Sequence, residues 1–267
     1  MNQNNILDFN VIKIVDDDFA KNYTWRSEYH EAKENGRIDN KINLVGLQNL
    51  LELKHTGGLV LPKDLDINQV LIKDPYSMNS FLELNSYEKT TNEKRQEIFL
   101  EVVRLLGAKE VEIEIEVTLN KSKSITFDAN GNYKIVTTGV SYTNEQLKNK
   151  YSYLKNKKKY TGGWTHENYD RAVEIVKSYN LENDYDFTSL LKSRNPKAGK
   201  DNWLLEDNVE IKMSENINKN RMIVASLALT AYGGLKTEYK TSISESMSVS
   251  MKTSIAYADR KQIDMNK

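Results

Sequence analysis

Glu110–Leu119, EVEIEIEVTL, is the stretch that decides the fold class. Val111, Ile113, Ile115, Val117 and Leu119 alternate with Glu110, Glu112, Glu114, Glu116 and Thr118. A period of two sends alternate side chains to opposite faces of a strand, so one face is buried and the other wet, as in an antiparallel sheet. Just beyond it, Ser124 to Phe127 and Tyr133 to Tyr142 flank Asn130-Gly131. That dipeptide tolerates positive φ and is the strongest short hairpin signal.

On the N-terminal side the periodicity changes from two to 3.6. Thr90 and Glu93 form a capping box, in which hydroxyl and carboxylate satisfy backbone donors reciprocally. Ile98, Phe99, Val102, Val103, Leu105 and Leu106 then make one apolar helical stripe, and Gly107 supplies a left-handed C-terminal position. Further upstream, Val11 to Val15 reads as a short strand. Asp16-Asp17-Asp18 leads into a helix from about Asp18 to Asn35, stopped at Gly36, whose N-terminus the carboxylates favour. Asn43 to Lys54 is apolar at helical spacing and ends at Gly57-Gly58. Leu59 to Leu61 and Val70 to Ile72 are expected as short strands, punctuated by Pro62 and Pro75.

Past the hairpin the pattern turns helical. Thr143 with Gln146 forms another capping box, and Thr165 with Glu167 opens a helix with the stripe Tyr169, Ala172, Val173 and Val176. Pro196 to Gly199 reads as a polar loop. Strands return at Val209 to Met213, Met222 to Ala231 and Leu235 to Tyr257. Strands and helices are grouped rather than alternating, which implies an α+β fold: a twisted antiparallel sheet with helices packed on it. The expected organisation is a single domain over residues 1–267, with a helical segment at about 143–206 between strand groups 109–142 and 209–257.

Composition narrows the function classes. Lys and Arg total 38 and Asp and Glu total 38, so no global field draws a polyanion to the chain. The absence of cysteine excludes disulfides, Cys-based zinc sites, iron–sulfur clusters and cysteine nucleophiles, and fits a reducing compartment. The N-terminus, MNQNNILDFNVIKIVDDD, lacks a basic region followed by an apolar one, so no signal peptide is expected. No stretch approaches the roughly 18 apolar residues of a transmembrane helix. The expected location is cytoplasmic, with membrane association only after activation.

Catalytic and cofactor signatures are missing. His30, His55 and His166 stand far apart in sequence and imply no metal site. Glu52 and Lys54 have the Glu-x-Lys spacing of a metal-dependent nuclease core, but on an expected helix face without a partner Asp strand, where such charges are ordinary. Gly57-Gly58, Gly162-Gly163 and Gly233-Gly234 belong to no phosphate-cradling motif. The expectation is therefore no catalytic residue, no metal and no cofactor, with an enzyme of illegible site as a third reading.

Two stretches stand out. Lys148, Lys150, Lys155, Lys157, Lys158 and Lys159 occur without an acid between them, interleaved with Tyr151, Tyr153 and Tyr160. As a helix over 148–160 they form a basic patch that could meet phosphates or anionic lipid; the plainer alternative is a solvated helix face. The second stretch is 239–257. One face carries Met247, Val249, Met251, Ile255 and Tyr257, with Glu245, Thr241 and Thr253 diluting it; the other carries Ser244, Ser246, Ser248 and Ser250. Alternation over this length far exceeds a common strand of about five or six residues.

A strand with a hydroxyl face and an apolar face is what a β-barrel pore requires, the polar side lining the lumen and the apolar side meeting lipid. The pattern resembles that of soluble proteins that unfurl into membrane barrels, without a motif that identifies a family. The leading expectation is thus a non-enzymatic, pore-forming, toxin-like effector that needs activation, partnered by anionic lipid and by copies of itself. The alternative is an interaction module using residues 148–160, with protein as partner and nucleic acid ranked behind it. The plain alternative for 239–257 is a half-exposed strand with a wet serine face.

Overall fold

A computed structural model describes residues 6–24, 31, 34, 42–119, 123–127, 133–137, 149–199, 203–213 and 247–258. The fold is α+β, with helices and two four-stranded, mostly antiparallel sheets. The chain divides into two compact units: Met1–Lys89, Leu119–Val140 and Glu215–Ser246 form one, and Thr90–Thr118, Ser141–Ser214 and Met247–Lys267 the other.

In the first unit, β1 (Val11–Val15) is followed by α1 (Asp17–Thr24), β2 (Ile42–Gly46), α2 (Leu47–His55), β3 (Val70–Lys73) and β4 (Phe81–Glu83). The sheet order is β2-β1-β3-β4, with β1 and β2 parallel and the other pairs antiparallel. Ile12, Ile14, Val45, Leu71 and Phe81 form a buried cluster with Leu50 and Leu53 of α2 and with Ile6 and Leu59. The helix expected over 43–54 begins only at Leu47. Ile42 to Val45 are fully buried beside β1, and a run buried on both sides reads as strand despite its leucine spacing.

The Asp16-Asp17-Asp18 run caps twice. The Asp16 carboxylate accepts from the backbone N–H groups of Asp18 and Phe19 at the start of α1. Asp17 reaches across and accepts from Gln48 N–H at the start of α2, at 3.2 Å to each carboxylate oxygen. A Cβ at Gly46 would lie 2.2 Å from the Asp17 Oδ1, so any larger residue there would push the Asp17 carboxylate from its capping position.

Helix α3 (Leu84–Leu105) starts directly after β4, six residues before the expected capping box, and Tyr87 in its first turn is buried. Its stripe of Ile98, Phe99, Val102, Val103, Leu105 and Leu106 is buried, and Gly107 takes φ +89. Then come β5 (Ala108–Leu119), β6 (Lys123–Phe127) and β7 (Tyr133–Thr137). β6 and β7 pair antiparallel as a two-stranded sheet, as expected, while the Asn130-Gly131 turn lies outside the described residues.

The second unit adds β8 (Asn156–Lys159), α4 (His166–Ser178), α5 (Tyr185–Ser193), β9 (Glu206–Lys212) and β10 (Met247–Tyr257), in the sheet order β8-β5-β10-β9. Thr165 caps α4 by accepting from Asn168 N–H, and Asp184 caps α5 through Asp186 and Phe187. Helix α4 packs on α5, and α5 on β9. The Thr143 capping box and the strand expected at Met222 to Ala231 lie outside the described residues.

Candidate functional site

The β5–β10 pair in the second unit holds most of the unusual chemistry. Val111, Ile113 and Ile115 of β5 are buried, while Glu112, Glu114 and Glu116 are exposed, so the strand keeps the two-faced pattern of its sequence. Beside it, Val249, Met251, Ile255 and Tyr257 of β10 are buried on the dry face together with Thr253. Their faces are fixed by register: Met251 opposes Ile211 and Lys252 opposes Glu210 across β9. The hydroxyl face is mixed: Ser250 is buried, while Lys252 and Ser254 are exposed. Ser244 and Ser246 lie outside the described residues, as do the side chains of Met247 and Ser248.

The lysine-rich stretch is helical at Asn149 and Lys150 but does not continue as the helix expected over 148–160. Its described part passes through a 3-10 turn at Ser152–Leu154 into strand β8, which pairs antiparallel with β5 over Glu110 to Ile113. The reason is electrostatic complementarity across the register, with Lys157 opposite Glu112 and Lys159 opposite Glu110. Lys157 Nζ lies 3.0 Å from Glu110 Oε1 and 2.9 Å from Glu112 Oε2. These contacts raise the Lys157 pKa and lower that of Glu110. Lys155, Lys158 and Lys159 stay exposed, Lys150 lies 5.1 Å from the centre of the Tyr151 ring, and Lys148 lies outside the described residues.

The rest of the wet face is charged too. Lys252 Nζ meets Glu116 Oε2 at 2.8 Å, and that contact raises the lysine's pKa. Where β8 parts from β5 beyond Ile113, an open depression of about 480 Å³ borders Glu114, Ile115 and Lys155.

Polar groups are also buried on the inner side. Thr91, Asn92, Arg95 and Gln96 of α3 are all buried, in helical phase with the apolar stripe that follows. Gln96 Nε2 donates to Leu154 O and touches Met251 Sδ at 3.7 Å. Arg95 reaches Asp184 at 2.9 Å and Asp186 at 3.1 Å and lies over the Phe187 ring. Burial, with the Asp184 charge beside it, pushes the Asp186 carboxyl above the usual range against the pull of Arg95. Thr91 Oγ1, both amide atoms of Asn92 and Thr253 Oγ1 have no hydrogen-bond partner among the described residues.

At the far end of the sheet, Arg194 is 1% exposed and lies between the Trp203 ring at 4.6 Å and the Tyr257 ring at 4.4 Å. Its Nε donates to Leu106 O and its Nη1 to Leu204 O. Burial lowers its pKa to about 10. Arg95 left a trace in the sequence, a charge in phase with Phe99 and Val102; Arg194 left none, since its aromatic neighbours come from distant segments.

Nothing in this arrangement assembles a metal centre. Among the described residues no three His, Asp or Glu side chains converge as ligands. Lys54 of the Glu-x-Lys pair donates to Pro62 O and Lys63 O, and His166 lies edge-on to Trp164 at 5.0 Å. No helix among the described residues is long and apolar enough to cross a membrane. Comparison with protein-family models, with curated proteins and with solved structures finds no match.

Proposed function

We propose that this is a non-enzymatic, membrane-active protein whose β5 and β10 become lipid-crossing strands of a β-barrel after activation. The observation behind this reading is the pair itself, 12 and 11 residues long and adjacent in one sheet. At about 3.3 Å per residue they extend about 40 Å and 36 Å. Tilted as barrel strands are, by about 40°, they rise about 30 Å and 28 Å, enough for a hydrocarbon core.

In the soluble form the apolar faces are hidden, and the cover includes buried polar groups without a partner among the described residues. Each buried polar group without a partner costs about 1–3 kcal/mol. Among the described residues of the second unit such groups include Thr91 and Asn92 on α3, Thr253 and the Tyr257 hydroxyl on β10, Trp164 Nε1 and Arg194 Nη2. Release would begin at β8, a strand of four residues held partly by exposed ion pairs. With β8 gone, the β5 edge is free to pair with a strand of another copy, and once β9 also leaves the other edge of β10 the pairing closes a ring and removes the edges.

A reversible lock tests this route. Tyr160 N–H donates to Lys109 O, so Glu112 and Lys157 form a non-hydrogen-bonded pair with closely spaced Cβ atoms, suited to a disulfide. The chain has no cysteine to compete. In the double variant Glu112→Cys/Lys157→Cys, oxidation should abolish release of an uncharged dye from phosphatidylserine-containing liposomes, and dithiothreitol should restore it. Leakage by the oxidised protein at the reduced rate would refute the release of β8. Absence of leakage by wild type at any lipid composition, pH, salt or proteolytic treatment would refute the membrane reading itself.

A further inference from the structure

We infer that the opened pore passes cations and rejects anions, a selectivity set by the glutamate ladder of β5; this rests on the membrane reading proposed above. When the dry faces of β5 and β10 meet lipid, their wet faces line the lumen, because alternate residues of a strand point oppositely. On β5 that face carries Glu110, Glu112, Glu114 and Glu116, one carboxylate at every second position along the crossing. On the described wet face of β10 it carries Ser250, Lys252 and Ser254.

In the soluble sheet this acidity is partly masked. Lys157 of β8 covers Glu110 and Glu112, and Lys252 covers Glu116. Among the described residues β8 is an edge strand, joined to the sheet through β5. Its departure takes Lys157 and Lys159 away and leaves Lys252 to face four carboxylates. Each copy then contributes a net excess of negative charge, repeated around the ring at successive depths. Rings of Asp or Glu are the device by which channels admit cations, since each ring lowers the barrier for a cation and raises it for an anion. The hydroxyls of β10 add neutral, wettable surface and leave the sign of the field unchanged. The surface lysines of β8, which in the sequence suggested a site for anions, thus serve as covers for the ladder.

The experiment is single-pore recording in planar phosphatidylserine–phosphatidylcholine bilayers under a KCl gradient. Wild type should give a reversal potential of the sign that marks K⁺ permeation, with a several-fold preference over Cl⁻. Glu114→Gln/Glu116→Gln should reduce that ratio, and Glu114→Lys/Glu116→Lys should reverse it. These side chains are exposed in the soluble fold, so circular dichroism should match wild type before addition. Pores that form but prefer Cl⁻, or whose preference ignores both substitutions, would overturn the cation assignment while leaving the membrane reading intact. Absence of conductance, together with absence of liposome leakage, would overturn both.

Discussion

Replacing Val249 by Asp probes the burial of β10 before it probes any membrane. The side chain is 2% exposed. Losing its apolar burial costs about 1.5–3 kcal/mol. The introduced carboxyl cannot ionise cheaply among apolar neighbours, so it stays protonated; holding a carboxyl of ordinary pKa of about 3.9 neutral at pH 7 costs about 4 kcal/mol. The combined loss of about 6 kcal/mol rivals the whole stability of a typical domain, about 5–15 kcal/mol. At about 2–4 °C per kcal/mol, the melting temperature of the second unit falls by about 12 °C or more.

The pH dependence gives the test its sign. A carboxyl whose folded pKa is raised binds its proton more tightly in the fold than in the unfolded chain, so the deficit shrinks as pH falls. At pH 5 the neutralisation cost is only about 1.5 kcal/mol. Thermal melts by circular dichroism at pH 7 and pH 5, with wild type subtracted, measure both numbers. A variant melting within a few degrees of wild type at pH 7, or showing the same deficit at pH 5, would refute the buried placement of this face. The expected instability also means that loss of leakage by Val249→Asp cannot distinguish blocked insertion from unfolding. The cysteine lock avoids this, because it leaves the core untouched.

Two further predictions concern the same unit. Gly107 has φ +89, and a Cβ there would lie 3.0 Å from Trp164 Cβ, so Gly107→Ala should lower stability by about 1–3 kcal/mol in urea unfolding; an unchanged midpoint would contradict the left-handed turn. Asp186 has its pKa raised by burial and by Asp184, so its contribution favours the fold more as pH falls through that raised value, and the contribution is absent in Asp186→Asn. Between about pH 4 and pH 7 the variant's melting temperature should therefore fall less, or rise more, with increasing pH than wild type's, and parallel curves would refute the buried setting of this carboxyl.

Much of the architecture was legible where local chemistry and burial agree. The glutamate–aliphatic alternation of β5, the stripe of α3, the Gly107 stop and the Thr165 cap all rest on periodicity or backbone geometry that neighbours a few residues away determine. Sequence reading failed where distant partners decide. Leu44 stands at helical spacing from Leu47 and Leu51, yet parallel pairing with β1 makes Ile42–Gly46 a strand. α3 begins at Leu84, with Tyr87 buried in its first turn, so the Thr90–Glu93 pair lies inside the helix and is not its start.

The candidate site divides the same way. From the sequence alone came two faces on β5 and on 247–257, a surplus of lysine at 148–160, and the absence of cysteine and of catalytic motifs, since these depend only on residue type and spacing. Only the tertiary structure decided that β5 and β10 are neighbours, that the lysines answer the glutamates as strand β8, and that Arg95 and Arg194 are buried. Those facts depend on which distant segments meet across a sheet. Sheet pairing is chosen by the burial and charge balance of the whole unit, and no single strand encodes its partner.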